Sequence, residues 1–196
     1  LLARMHRDKD IKLEDLQKSS ATEAKIIIYE KCLDAVLREQ REERVQEKIT
    51  GLDSDTLERI LIEAGLCVVQ SGGEFTKIRM IKSFLETNDK KAYDLIENLP
   101  KEQGDKEGEK KFTTALGAFY LRPSERHKEG AVEFYHKSFG EFLCAKRLQM
   151  SLEEWTEPGR KRQDFSIKDE ELWKDIYNLL GYGGLTSEIV EYLMGL

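Results

Sequence analysis

The chain has 196 residues, room for one large domain or two small ones at roughly 100–150 residues each. Its 32 basic and 38 acidic residues leave a net charge of −6, so the basic excess with which a nonspecific nucleic-acid binder neutralises phosphate is missing. No apolar run of about 18 residues marks a membrane-crossing helix, and no signal peptide opens the chain; three scattered cysteines, Cys32, Cys67 and Cys144, lack CxxC spacing, argue against a disulfide framework or zinc site, and fit a reducing cytoplasm.

Charged residues at 36% and only three prolines suit long amphipathic helices with solvated outer faces. Leu1–His6 reads as the end of a helix that began earlier, and a start on Leu1-Leu2-Ala3 reads as a piece of a longer polypeptide. Ile11, Leu13 and Leu16 form an apolar patch in a polar loop or turn. Ser20-Ala21-Thr22-Glu23 is a capping box, in which a serine oxygen takes an orphan amide while the glutamate reaches back. Behind it Ile26, Tyr29, Leu33, Val36 and Leu37 recur at helical spacing, predicting a helix to about Lys48. Its far end, Arg38 to Lys48, balances four bases with four acids and reads as a solvated face.

Asp53-Ser54-Asp55 opens the next helix, with Leu57, Ile60, Leu61 and Ala64 on one face. Leu66–Val69 is either a short strand or that helix continuing to a glycine stop at Gly72-Gly73; the pattern favours continuation. Ile78, Ile81 and Leu85 mark a third helix, and Ala92, Leu95, Ile96 and Leu99 a fourth, halted by Pro100. After the charge-rich loop Lys101–Lys111 and a helical stretch at Phe112–Leu116, the pattern changes. Phe119-Tyr120-Leu121 and Ala131–Tyr135 read as two strands of a hairpin around a polar turn from Pro123 to Gly130. A strong helix begins after His136 and buries Phe139, Phe142, Leu143 and Leu148; Trp155–Arg162 follows as a loop. Two more helices, Glu170–Leu180 and Thr186–Met194, are separated by glycines at 181, 183 and 184. The expected fold is therefore mainly α, a helical bundle with one small β-hairpin.

Catalytic motifs are missing. There is no GxxxxGK[ST] phosphate loop, no GxSxG and no HExxH, and His6, His127 and His136 are far apart in sequence with no ligand spacing. The most specific stretch runs from Glu133 through Phe134-Tyr135-His136-Lys137-Ser138-Phe139-Gly140-Glu141-Phe142-Leu143 to Ala145. A strand delivers aromatics to a core, and a histidine stands where strand becomes helix. A helix start offers free amides and a positive partial charge, so His136 is well placed to meet an anion; on chemistry alone, packing or capping is the favoured explanation.

That stretch resembles the winged-helix signature of NACHT-domain STAND signalling ATPases. Ala118–Arg122 is similar to the first wing strand of bacterial, cyanobacterial-like members, Tyr29–Leu33 to a helix of the preceding helical domain, and Thr186–Leu193 to the helix after the winged helix. Gly140 departs from the glutamine commoner at its position. The resemblance implies three parts: the end of a first helical domain at 1–50, a winged-helix domain at 51–150, and the start of a second helical domain at 151–196.

It further implies that this region is the regulatory switch of a nucleotide-driven signalling protein. In the family an upstream nucleotide-binding domain holds ADP in a closed state, and the winged-helix histidine touches the ADP phosphate. Exchange for ATP, with Mg, opens the molecule and permits homo-oligomerisation, and downstream repeats act as the sensor. Carried over, His136 is the ADP-sensing residue. The phosphate loop and Mg-binding acids would lie upstream of Leu1, so this chain is expected to be no enzyme by itself and to hold no cofactor alone. Two alternatives stand beside this reading: a winged-helix nucleic-acid binder using Lys77, Arg79, Lys82 and the wing tip Arg122–Glu129, and a plain helical interaction scaffold.

Overall fold

The computed structural model describes residues 13–42, 54–97, 121–123, 130–156, 169–181 and 183–196. Among them are α1 (Leu13–Lys18), α2 (Ala21–Glu42), α3 (Ser54–Gln70), β1 (Thr76–Lys77), α4 (Ile78–Asn88) and α5 (Lys90–Glu97). Then come β2 (Leu121–Pro123), β3 (Ala131–Phe134), α6 (Lys137–Thr156), α7 (Asp169–Leu180) and α8 (Ser187–Gly195). The molecule is mainly helical with a small antiparallel sheet, as its sequence predicts.

The helix ends form where the local chemistry supplies partners. The capping box at α2 closes reciprocally: Glu23 N–H donates to Ser20 Oγ at 3.2 Å, and Ser20 N–H to Glu23 Oε2 at 2.7 Å. The amide donated to Glu23 holds its carboxyl below the usual range. α3 runs through Leu66–Val69 to Gln70, so the helical alternative holds there. It stops where Gly73 N–H reaches back to Val68 O at 2.8 Å and Gly72 N–H to Val69 O at 3.1 Å, with both glycines at positive φ. Asp89 starts α5 by accepting from Ala92 N–H at 3.0 Å, and Thr186 starts α8 by accepting from Ile189 N–H at 3.2 Å.

Several expectations are corrected. Leu13–Lys18 is a helix, not loop or turn, because a helical turn lets Leu16 cover Cys32 and Ile28 on α2. The first hairpin strand lies at Leu121–Pro123, so Pro123 belongs to the strand and not the turn. Its pairing with β3 sets Leu121 opposite Phe134 and Pro123 opposite Val132. The sheet also gains a third strand: β1 pairs antiparallel with β3, Thr76 opposite Val132, which makes β3 the centre of the order β1-β3-β2. Trp155 is helical, not loop, because α6 continues to Thr156 with Trp155 packed against the core. The readings at 1–6, 43–48, 98–120, 124–129 and 157–162 lie outside the described residues.

α3 is the central element. Twelve of its 17 residues are buried, covered mainly by α6, with α2, α4 and α5 on its other sides. α8 lies across α6 and α2. One hydrophobic cluster joins Ile26 of α2, Leu61 of α3, Ile81 of α4, Val132 of β3, Phe142 of α6 and Tyr192 of α8. It therefore draws on all three segments of the implied division, and α6 passes continuously through residue 150.

Candidate functional site

β3 ends at the buried Phe134, and a two-residue bend, Tyr135-His136, turns the chain into α6. The first turn closes when Phe139 N–H donates to His136 O at 3.0 Å. Alternation along β3 sends Phe134 inward and leaves Tyr135 55% exposed. His136 is exposed at the helix start, and among the described residues nothing hydrogen-bonds its ring.

The floor beneath this bend is aromatic. Phe134 meets Phe139 edge-on at 6.0 Å, and Tyr29 of α2 lies 5.6 Å from Phe139 and 5.5 Å from Phe142. Tyr192 of α8 closes the group edge-on to Phe142 at 6.1 Å. Such pairs add about 0.5–1.5 kcal/mol each beyond area burial, so the bend stands on a rigid base. Burial pushes the Tyr192 phenol well above its ordinary value, with Tyr29 beside it acting in the same direction.

Gly140, where the implied pattern carries glutamine, has a clear packing reason. A Cβ there would sit 2.7 Å from Phe134 Cδ2, so the bare helix surface at Gly140 is what seats the strand's last aromatic. Sequence reasoning could not see this, because the contact depends on how the β3–α6 bend folds back on itself.

Polar contacts fix the two residues after His136. Ser138 Oγ and Tyr29 Oη are 2.6 Å apart, joining α6 to α2. Lys137 Nζ lies 3.5 Å from Glu141 Oε1, and Thr186 Oγ1 donates to the same oxygen at 3.1 Å. Beside Lys137 is a small cleft of about 290 Å³, lined by Gly73, Glu74, Glu133 and Tyr135 among others. The arrangement offers an anion one imidazole and the amides of a helix start from an open surface, while the Lys137 ammonium is engaged by Glu141.

A cleft of about 520 Å³ between α3, the α4–α5 junction and α6 mixes Asp55, Glu58, Asp89 and Glu153 with Arg59, Lys91 and Lys146, and shares no residue with the His136 surface. Arg59 Nε pairs with Asp89 Oδ2 at 3.2 Å. No disulfide joins the three cysteines, and all are buried; burial raises the thiol of Cys32 to about 11, that of Cys144 to about 12, and that of Cys67 well above its ordinary value. Of the three bases on the nucleic-acid alternative, Lys77 and Arg79 are exposed, while Lys82 is held by Glu97 at 2.6 Å. The wing tip 124–129, with His127, lies outside the described residues, as does His6. No helix among the described residues is long and apolar enough to cross a membrane. The chain matches no family model, no curated protein and no solved structure.

Proposed function

We propose that this chain is the regulatory portion of a NACHT-type signal-transduction ATPase, the part that holds the ADP-bound inactive state and couples nucleotide exchange to homo-oligomerisation in the cytoplasm. The observation that carries the reading is the placement of His136. The residues of its motif that should pack, Phe139, Phe142 and Leu143, are buried, while His136 stands exposed at the helix start. An imidazole N–H at that position fits a phosphate oxygen, with the first-turn amides of α6 adding favourable partial charge. In this reading His136 is the one residue of the chain that contacts ADP, and the nucleotide, Mg and the remaining ligands belong to an upstream nucleotide-binding domain. The chain by itself turns over no ATP, and downstream repeats supply the sensor.

A nucleic-acid role has weaker support. Lys82 is committed to Glu97, and the overall charge is negative.

The test is His136→Ala in the full-length protein expressed from its natural reading frame. Loss of one hydrogen bond to a charged group costs about 1.5–3 kcal/mol, which is roughly 10- to 150-fold in ADP affinity. The contact belongs to the closed form, so its loss shifts the population towards the open form by no more than that differential. The variant should release ADP faster and oligomerise without stimulus. Unchanged ADP retention with a silent protein would overturn the reading.

A further inference from the structure

Taking the switch reading as its premise, we infer that Glu141 is a positioning residue for His136, the joint through which α8 sets the direction of the first turn of α6. Glu141 stands one helical turn beyond Lys137 and is only 5% exposed. A buried carboxylate is tolerated only when its oxygens are partnered. Here the partners come from two helices. Lys137, the residue after His136, reaches Oε1 at 3.5 Å, and Thr186 Oγ1 donates to the same oxygen at 3.1 Å.

Thr186 is itself the N-cap of α8, accepting from Ile189 N–H at 3.2 Å. One hydroxyl and one carboxylate oxygen thus tie the start of α8 to the start of α6. Ser138 is tied to α2 through Tyr29 Oη at 2.6 Å. The two residues following His136 are therefore held by two different helices.

This geometry restricts how α8 can move. If α8 shifts alone, Thr186 leaves a carboxylate buried with only a mostly exposed lysine for company, which is costly. Either α6's first turn follows α8, or the carboxylate swings out to solvent and frees Lys137. Both outcomes redirect the bend that presents His136. A displacement at α8 is converted into a change at the phosphate contact by two side chains.

Two variants of the chain test the joint. Thr186→Val removes both the hydroxyl's bond to Glu141 and the cap; Glu141→Met removes the carboxylate but leaves the cap. Each should shift the His136 ring resonances in the same direction and raise amide exchange across residues 137–141 by roughly tenfold, the equivalent of one hydrogen bond. Thr186→Ser, which keeps the hydroxyl, should match wild type in both readouts. In the full-length protein Thr186→Val should speed ADP release, and combined with His136→Ala it should add nothing further. If Thr186→Val loosens only residues 187–190 and Glu141→Met leaves the His136 resonances in place, the joint does not exist. If the resonances shift as expected but His136→Ala leaves ADP release unchanged, the joint stands and the switch reading falls.

Discussion

Glu63 and Arg147 meet inside the contact between α3 and α6, at 2.7 Å from Oε1 to Nε, with both side chains largely withdrawn from water. Arg147 also donates to Ser151, while among the described residues Glu63 Oε2 has no hydrogen-bond partner. Burial pushes the Glu63 carboxyl up, and the Arg147 guanidinium pulls the other way. A pair of this kind adds little over well-packed apolar residues, yet losing one member strands the other's charge. Glu63→Ala should therefore destabilise the chain by about 3–5 kcal/mol, whereas Glu63→Met with Arg147→Met should come close to wild type. Urea midpoints of the single and double variants decide the matter; a mild Glu63→Ala would show that water reaches Arg147.

At the scale of elements, the α3–α6 crossing is set by bare backbone. A Cβ on Gly65 would lie 2.6 Å from Leu143 Cβ, 2.9 Å from Gly140 O and 3.0 Å from Cys144 N, and two of these neighbours are backbone atoms that cannot swing aside. Alanine is the better helix former by about 1 kcal/mol, but overpacking a tight crossing costs about 1–3 kcal/mol. Gly65→Ala should thus lower stability by up to about 2 kcal/mol in urea denaturation, and a gain would mean the helices separate freely. In the sequence Gly65 reads either as the end of a helix or as a glycine tolerated inside one. The same holds more widely. The capping box at Ser20–Glu23 and the glycine stop at Gly72–Gly73 could be read because their partners lie within a few residues. The strand Thr76–Lys77 could not, since two residues carry no period and their pairing with β3 lies more than 50 residues away. α1 was missed because six residues give one apolar contact and no repeat. At the candidate site, the exposure of His136 and burial of Phe139 and Phe142 followed from the motif. The burial of the Glu141 carboxylate was not legible, because Thr186, which bonds it, is 45 residues further on.

For the molecule as a whole, one cluster reaching from Ile26 to Tyr192 implies that its centre opens only when everything opens. Cys67 and Cys144, at 0% and 1% exposure, report on that centre, and Cys32 on the small satellite cluster under α1. In native buffer Cys67 and Cys144 should be alkylated by iodoacetamide at one shared rate that follows global unfolding as urea is added. Cys32 should react sooner, through local opening of α1. Modification of Cys67 ahead of Cys32 would mean that α3 is loosely covered.

The burial of α3 on nearly every side has a consequence during synthesis. The helix is complete at Gln70, while its chief cover, α6, begins at Lys137. At ~5–20 residues per second, roughly 3–13 s pass between the two leaving the ribosome. For those seconds the nascent chain carries an apolar helix without its chief cover, which makes α3 the segment a cotranslational chaperone would grip.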